Sequence, residues 1–313
     1  MAQVVQPVDV TASVRQALRG RRVDWSGLAF QLALLFTLLL SFAVLVILLT
    51  DIFVKGYPVL AERGTEFLTS NLSSLPEEAG IWQGLVGSIG LMIFVAVIAF
   101  PLGIGAAVYM EEYARDTGLT RFINANIRNL AGVPSIVYGI LGLTIFVQVL
   151  GNITGPEVQG RSLMSGGLTL AVMVLPIVII TAAEALRAVP NSIREAAYGV
   201  GATRWETIRS HGLPYAAPGV LTGTDLSLAR ALGETAPLVM VGVITGFFAS
   251  DATFLESLRD RFTSLPTIIF VWAKRPETDF RALTAATILV LMVVLLAMNS
   301  IAILLRNRYE RRW

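Results

Sequence analysis

An all-α membrane protein of six transmembrane helices is the fold class this sequence predicts, and three observations predict it. Hydrophobic residues make up 55% of the 313 and charged residues only 15%, whereas soluble domains average about half and about a quarter. Five stretches long enough to cross roughly 30 Å of hydrocarbon hold no Asp, Glu, Lys or Arg. Lysine and arginine crowd into alternate connecting segments, the asymmetry that orients a multi-pass chain.

The uninterrupted spans run from Trp25 to Thr50, Ala79 to Met110, Asn129 to Pro156, Ser162 to Ala183 and Ala282 to Leu305. The remaining span, fifth in chain order, is about Tyr215 to Ala249 and carries Asp225, Arg230 and Glu234 within it. Six crossings put both termini on one side. Fifteen of the 24 Lys and Arg precede the first span, lie in the second and fourth loops, or follow the last span, so both termini are expected to be cytoplasmic. The first span is too long for a signal-peptide core and no small-residue cleavage site follows it, which makes it an uncleaved anchor. The economical division is a basic tail (1–25), one six-span domain (26–305) that includes the loop 190–214, and a short second tail (306–313).

On the opposite side, Asp51 to Gly80 reads as a long loop, Gly151 to Ser165 as a short one and Ser250 to Arg281 as another long one. Phe262 to Ala273 is an apolar run of twelve residues, too short to cross. It is expected to form an interfacial or re-entrant helix, with packing against the bundle as the alternative.

Composition closes off several chemistries. Zero cysteines exclude disulfides, Fe–S clusters and thiolate zinc sites, and His211 is the single histidine. A formal charge of +2 gives no reason to expect nucleic acid as a partner. No G-x-x-x-x-G-K-[ST] sequence exists, and the only lysines, Lys55 and Lys274, lie on the side expected to be outer. Neither a G-x-S-x-G elbow nor a second histidine is present for hydrolysis. The expectation is a chain that is not an enzyme and binds no cofactor directly.

Pro190 to Pro214 is the most informative soluble stretch. Ser192 with Glu195 fits a capping box that would start a short helix, and Gly199 and Gly201 would end it and turn the chain. Thr203 with Glu206 repeats the box and would open a second short helix, ended by Gly212 and Pro214. The apolar residues Ile193, Ala196, Ala197, Val200, Trp205 and Ile208 are too many for a solvated connection. They call for either a groove in a partner protein or the membrane face, the latter aided by Arg194, Arg204 and Arg209.

Glu195-Ala196-Ala197, then Gly201, then Leu213-Pro214 match in spacing the E-A-A…G…L-P signature of ABC-importer permeases, apart from His211, which stands where that family has Ile. Asn129 to Gly139 and Leu228 to Leu238 resemble the permeases of the phosphate-specific (Pst) importer, and Thr235-Ala236-Pro237 is similar to the PstA-type subunit rather than the sister PstC-type. The resemblance covers about residues 80 to 305. It implies a type I ABC importer permease fold and a loop that docks as a coupling helix in an ATPase cleft. It also implies a homologous PstC-like permease, a dimeric PstB-like ATPase that uses ATP and Mg, and an extracytoplasmic PstS-like phosphate-binding protein. The implied setting is the cytoplasmic (inner) membrane of a bacterium or archaeon.

An arginine at mid-membrane costs about 2.5 to 3.5 kcal/mol on insertion scales, so Arg230 must face protein or water. Glu234 lies four residues on, on the same helical face, whereas Asp225 lies off it. From the residues, the pair is either a self-neutralising structural ion pair or an anion site. A guanidinium fork suits phosphate oxygens, and Glu234 would compete for it and so permit release. Resemblance to Pst permeases favours translocation. Gly219, Gly223, Gly233, Pro237, Gly242 and Gly246 suggest either a pathway-facing helix or close packing, and Gly132, Pro134, Ser135 and Tyr138 suggest a second wall. Glu184 and Arg187 are expected to pair within their own helix. The rival readings are a permease for sulfate, molybdate or phosphonate, a proton-coupled secondary transporter using Arg230 and Glu234, and a non-transporting scaffold.

Overall fold

A computed structural model describes residues 25–243 and 258–309. The basic tail before Trp25, the end of the fifth span with Gly246 and Ala249, and Arg311 and Arg312 lie outside the described residues. Among those described, secondary structure is helical throughout. Among the described residues four helices are individually long and apolar enough to cross a membrane, or five if one bent pair counts as a single span.

The chain divides into two units at Asp51. In the first, residues 25–51 are the opening part of helix α1 (Trp25–Thr69). Its side chains are apolar all round, and Phe30, Phe36, Leu38, Phe42 and Ile47 are all exposed, which suits a helix solvated by lipid.

The second unit corrects the expected loop Asp51 to Gly80: α1 continues through Pro58 to a kink at Gly64 (φ 40°), beyond which a second helical stretch reaches Thr69. Burial is the reason. Phe67, Leu72, Ala79 and Ile81 join Leu265, Ile268, Trp272 and Phe280 in one core cluster, and burial of large apolar side chains outweighs the single backbone bond a proline removes. The run Phe262 to Ala273 contributes to the same cluster. Helix α10 (Leu265–Trp272) packs into the bundle, with Leu265, Ile268 and Trp272 buried.

Helix α2 (Trp82–Val108) continues as a π turn, Tyr109–Tyr113. The stretch expected as one span from Asn129 to Pro156 is broken. Helix α3 (Gly118–Ala131) and the segment beginning with α4 (Ser135–Gly142), which runs on as a π stretch to Val149, meet at 101°. Pro134 has no amide proton to donate, and Val133 before it is held out of helical conformation, so the break falls where the sequence supplies its cause. Tyr138 closes the elbow: its hydroxyl donates to the Leu130 carbonyl at 2.8 Å.

Helix α5 (Leu163–Arg187) is the central element; Ser162 caps it by accepting from the Ser165 amide. It packs against α2, α3, α4 and the fifth-span helix α8 (Leu213–Gly233). Small residues let the axes approach. A Cβ on Gly103 would meet Val178 Cγ1 at 2.6 Å, and one on Gly219 would meet Ala185 Cβ at 2.8 Å. Gly219 and Gly223 therefore serve close packing, whereas a Cβ on Gly233 would meet nothing within 4 Å. The last helix, α11 (Thr278–Tyr309), packs on α8 and α10.

Candidate functional site

The loop after α5 forms helix α6 (Asn191–Gly199), a bend, and helix α7 (Arg204–Thr207). The bend is Gly201 at φ 85°, a left-handed conformation that glycine adopts without the Cβ penalty. Hydrogen bonds from the Gly201 amide to the Tyr198 carbonyl and from Ala202 to Ala197, both 3.0 Å, close it.

The second of the two expected capping boxes forms. The Thr203 amide donates to Glu206 Oε2 at 2.8 Å and the Glu206 amide to Thr203 Oγ1 at 3.3 Å. The Thr203 amide and the Thr203 hydroxyl, which donates to Oε2 at 2.7 Å, hold the Glu206 carboxyl below its usual range. The first box does not form: α6 begins after Pro190 without a side-chain cap, because proline already fixes the entry and Ser192 lies inside the helix. Nor do Gly212 and Pro214 end the second helix. A π turn, Ile208–Gly212, joins α7 directly to α8, and Pro214 is accommodated as the second residue of α8.

Burial divides the loop's apolar residues. Ala197 and Ile208 are buried with Leu186, Val189 and Ala216, and Ile193 packs on that cluster. Glu195 and Ala196 are exposed beside Tyr198, Val200 and Trp205, which are 44%, 86% and 53% exposed. The loop thus turns an apolar ridge, rimmed by a carboxylate, away from its own bundle.

Its seating was not legible in the sequence. Arg187 bonds to Glu111 and not to Glu184: its Nε donates to Oε2 at 3.2 Å, and a second bond runs from Nη2 to Oε1. Arg194 donates from Nη2 to Glu112 Oε1 at 2.8 Å. Arg204 stands 5.2 Å over the Tyr113 ring. Glu111, Glu112 and Tyr113 were not anticipated; the available signal was a carboxylate pair ending one span, facing a loop rich in arginine.

In the fifth span, α8 stops at Glu234, whose backbone is extended (φ −82°, ψ 122°), and helix α9 (Ala236–Val241) starts after Thr235. Pro237 in its first turn favours the restart. Arg230 Nε stands 3.5 Å from Glu234 Oε1, with the side chains 42% and 19% exposed. That separation exceeds a normal hydrogen bond, so the guanidinium is neutralised but loosely held. Asp225 is elsewhere, within electrostatic reach of Arg306 on α11. Gly242 ends α9 at φ 89°.

The two segments that resemble Pst permeases face each other. A Cβ on Gly139 would lie 2.7 Å from Pro237 Cα and 2.9 Å from Met240 Cβ, so α4 rests directly on α9. Tyr138 is buried in one cluster with Ala231, Leu232 and Leu238. Leu213 and Pro214 of the signature serve the junction with α8, apart from the exposed ridge.

Residues 99–312 match the family described as binding-protein-dependent transport system inner membrane component. The chain is 35% identical over 258 residues to the probable ABC transporter permease protein YqgH of Bacillus subtilis, covering 80% of each. It is 35% identical over 226 residues to the phosphate transport system permease protein PstA of Yersinia pestis, covering 71% of each. Its fold matches a chain of a bacterial alginate ABC transporter crystallised with an alginate-bound periplasmic protein, with a TM-score of 0.61 over 90% of this chain and 97% of that one, at 16% identity.

Proposed function

This chain belongs to the binding-protein-dependent transport system inner membrane component family, and on that ground we propose that it is a permease subunit of an ATP-driven phosphate importer. It is a multi-pass membrane protein with the fold of type I ABC importer permeases. It is a transport subunit and not an enzyme; the ATPase is a separate polypeptide. The observation that carries the substrate is its relatedness to phosphate permeases.

Arg230 and Glu234 bind and release the anion in this reading. The helix break at Glu234 supports it, because interrupted backbone at membrane depth is tolerated where it is buried in protein or lines a cavity. A phosphate oxygen pair fits the fork of Arg230, and Glu234 supplies the competing partner that keeps the anion from staying. The exposed ridge of α6 and α7, with Glu195, Ala196, Ala197 and Gly201 shaping it, docks into a dimeric ATPase that consumes ATP and Mg. ATPase closure moves the ridge and, through the unbroken junction at Leu213 and Pro214, moves α8. A homologous permease completes the pathway and an extracytoplasmic binding protein delivers phosphate. Both termini then lie in the cytoplasm, and the protein sits in the inner membrane of a bacterium or archaeon.

Uptake of radiolabelled phosphate by a permease-deletion strain carrying this gene tests the reading. Uptake that resists excess sulfate and requires the ATPase supports it. Competition by sulfate would reassign the substrate, and uptake that persists without the ATPase would discard the importer.

A further inference from the structure

Arg194 uses all five of its N–H donors. Nε and Nη2 reach Glu112 Oε1 at 3.2 and 2.8 Å, Nη2 also reaches the Leu186 carbonyl at 2.9 Å, and Nη1 reaches the Val189 carbonyl at 2.7 Å and Asn191 Oδ1 at 3.3 Å. One side chain on α6 therefore binds the end of the second span, the last turn of α5 and the residues just after it. The pair is sheltered, with side chains 19% and 8% exposed. The same π turn, Tyr109–Tyr113, also holds Arg187 through Glu111 and Arg204 through Tyr113. Three consecutive residues thus grip the end of α5, α6 and α7 in turn. Single π turns of this kind occur frequently at functional sites.

We infer that Glu112 and Arg194 are positioning residues for coupling: their tie fixes the docking ridge to the second span, so that displacement of the ridge drives α2 directly as well as α8. The inference rests on the proposed docking of that ridge. The junction through Leu213 alone would convey motion to the fifth span only. A sheltered, fully bonded guanidinium resists displacement from its partners, because breaking it leaves a desolvated carboxylate uncompensated. Lysine could not replace it, having three donors in no fixed plane.

The test uses the whole transporter reconstituted in proteoliposomes with its binding protein. The chain has no cysteine, so introduced thiols are the only ones it carries. In Arg194→Lys and Glu112→Gln, phosphate imported per ATP hydrolysed is expected to fall roughly tenfold, within the usual range of coupling effects. The amount of assembled complex and the cross-link from Val200→Cys to the ATPase are expected to persist. The double variant Glu112→Gln, Arg194→Gln should be no worse than either single change. In Glu112→Cys, Arg194→Cys, a short bis-maleimide that alkylates both thiols should restore the import ratio. An unchanged ratio in the single variants, with the Val200→Cys cross-link intact, would overturn the tie and leave docking standing. Absence of that cross-link in the otherwise unaltered protein would overturn docking and the tie together.

Discussion

Glu234 Oε1 lies 3.5 Å from Arg230 Nε on one helical face, yet Glu234 is the residue at which that helix stops. An ion pair meant only to brace a helix has no need of a break at its acidic member. Glu234, with an extended backbone, caps the helix whose last turn carries Arg230.

Arg230→Gln is expected to abolish phosphate uptake with normal assembly. Arg230 and Glu234 stand 3.5 Å apart, beyond a normal hydrogen bond, so loss of this contact removes little stability. Thermal unfolding of the purified complex should therefore barely move. A large loss of stability with preserved uptake would return the pair to a bracing role.

Substitutions at Gly201 are expected to rank by backbone tolerance. A Cβ there meets nothing within 4 Å, so the penalty for alanine is the left-handed conformation itself, about 1–2 kcal/mol. Asparagine, which visits that region more readily, should retain more phosphate-stimulated ATP hydrolysis than alanine. Gly201→Trp should lose ATPase association as well, by placing bulk on the ridge. Equal coupling in all three would remove the bend from the mechanism.

Glycine contacts separate packing from docking. A Cβ on Gly223 would fall 2.2 Å from Thr181 Oγ1, so Gly223→Val should destabilise the bundle by about 1–3 kcal/mol through overpacking. Gly105, where a Cβ meets nothing within 4 Å, should accept alanine without loss. Unfolding temperatures of the two variants in detergent decide this.

The cap on α7 should weaken in acid. Because the Glu206 carboxyl is held below its usual range in the folded loop, its contribution is complete above the unfolded value and is lost as pH falls through the folded one. Amide exchange at residues 204–207 should accelerate in that acid window. Glu206→Gln keeps a capping side chain that does not titrate, so its exchange should lose this pH dependence.

Much of this protein was decided by neighbours close in the chain, and those features are legible in order. Uninterrupted apolar length marks the membrane segments, Thr203 and Glu206 specify their own box, and Gly201 turns the loop, whereas the break before Ser135 interrupts a stretch expected to be continuous. Glu234 is one helical turn from Arg230, so their pairing followed from spacing alone. Only tertiary structure could carry α1 past Pro58, seat α10 in the core, press Gly139 onto Pro237, and give Arg187 to Glu111 in preference to Glu184. Those outcomes depend on burial and ion pairing between groups far apart in sequence, 76 residues for Arg187 and Glu111 and 82 for Arg194 and Glu112. Local pattern sets what each segment can be; the free energy of long-range contact selects which partner it takes.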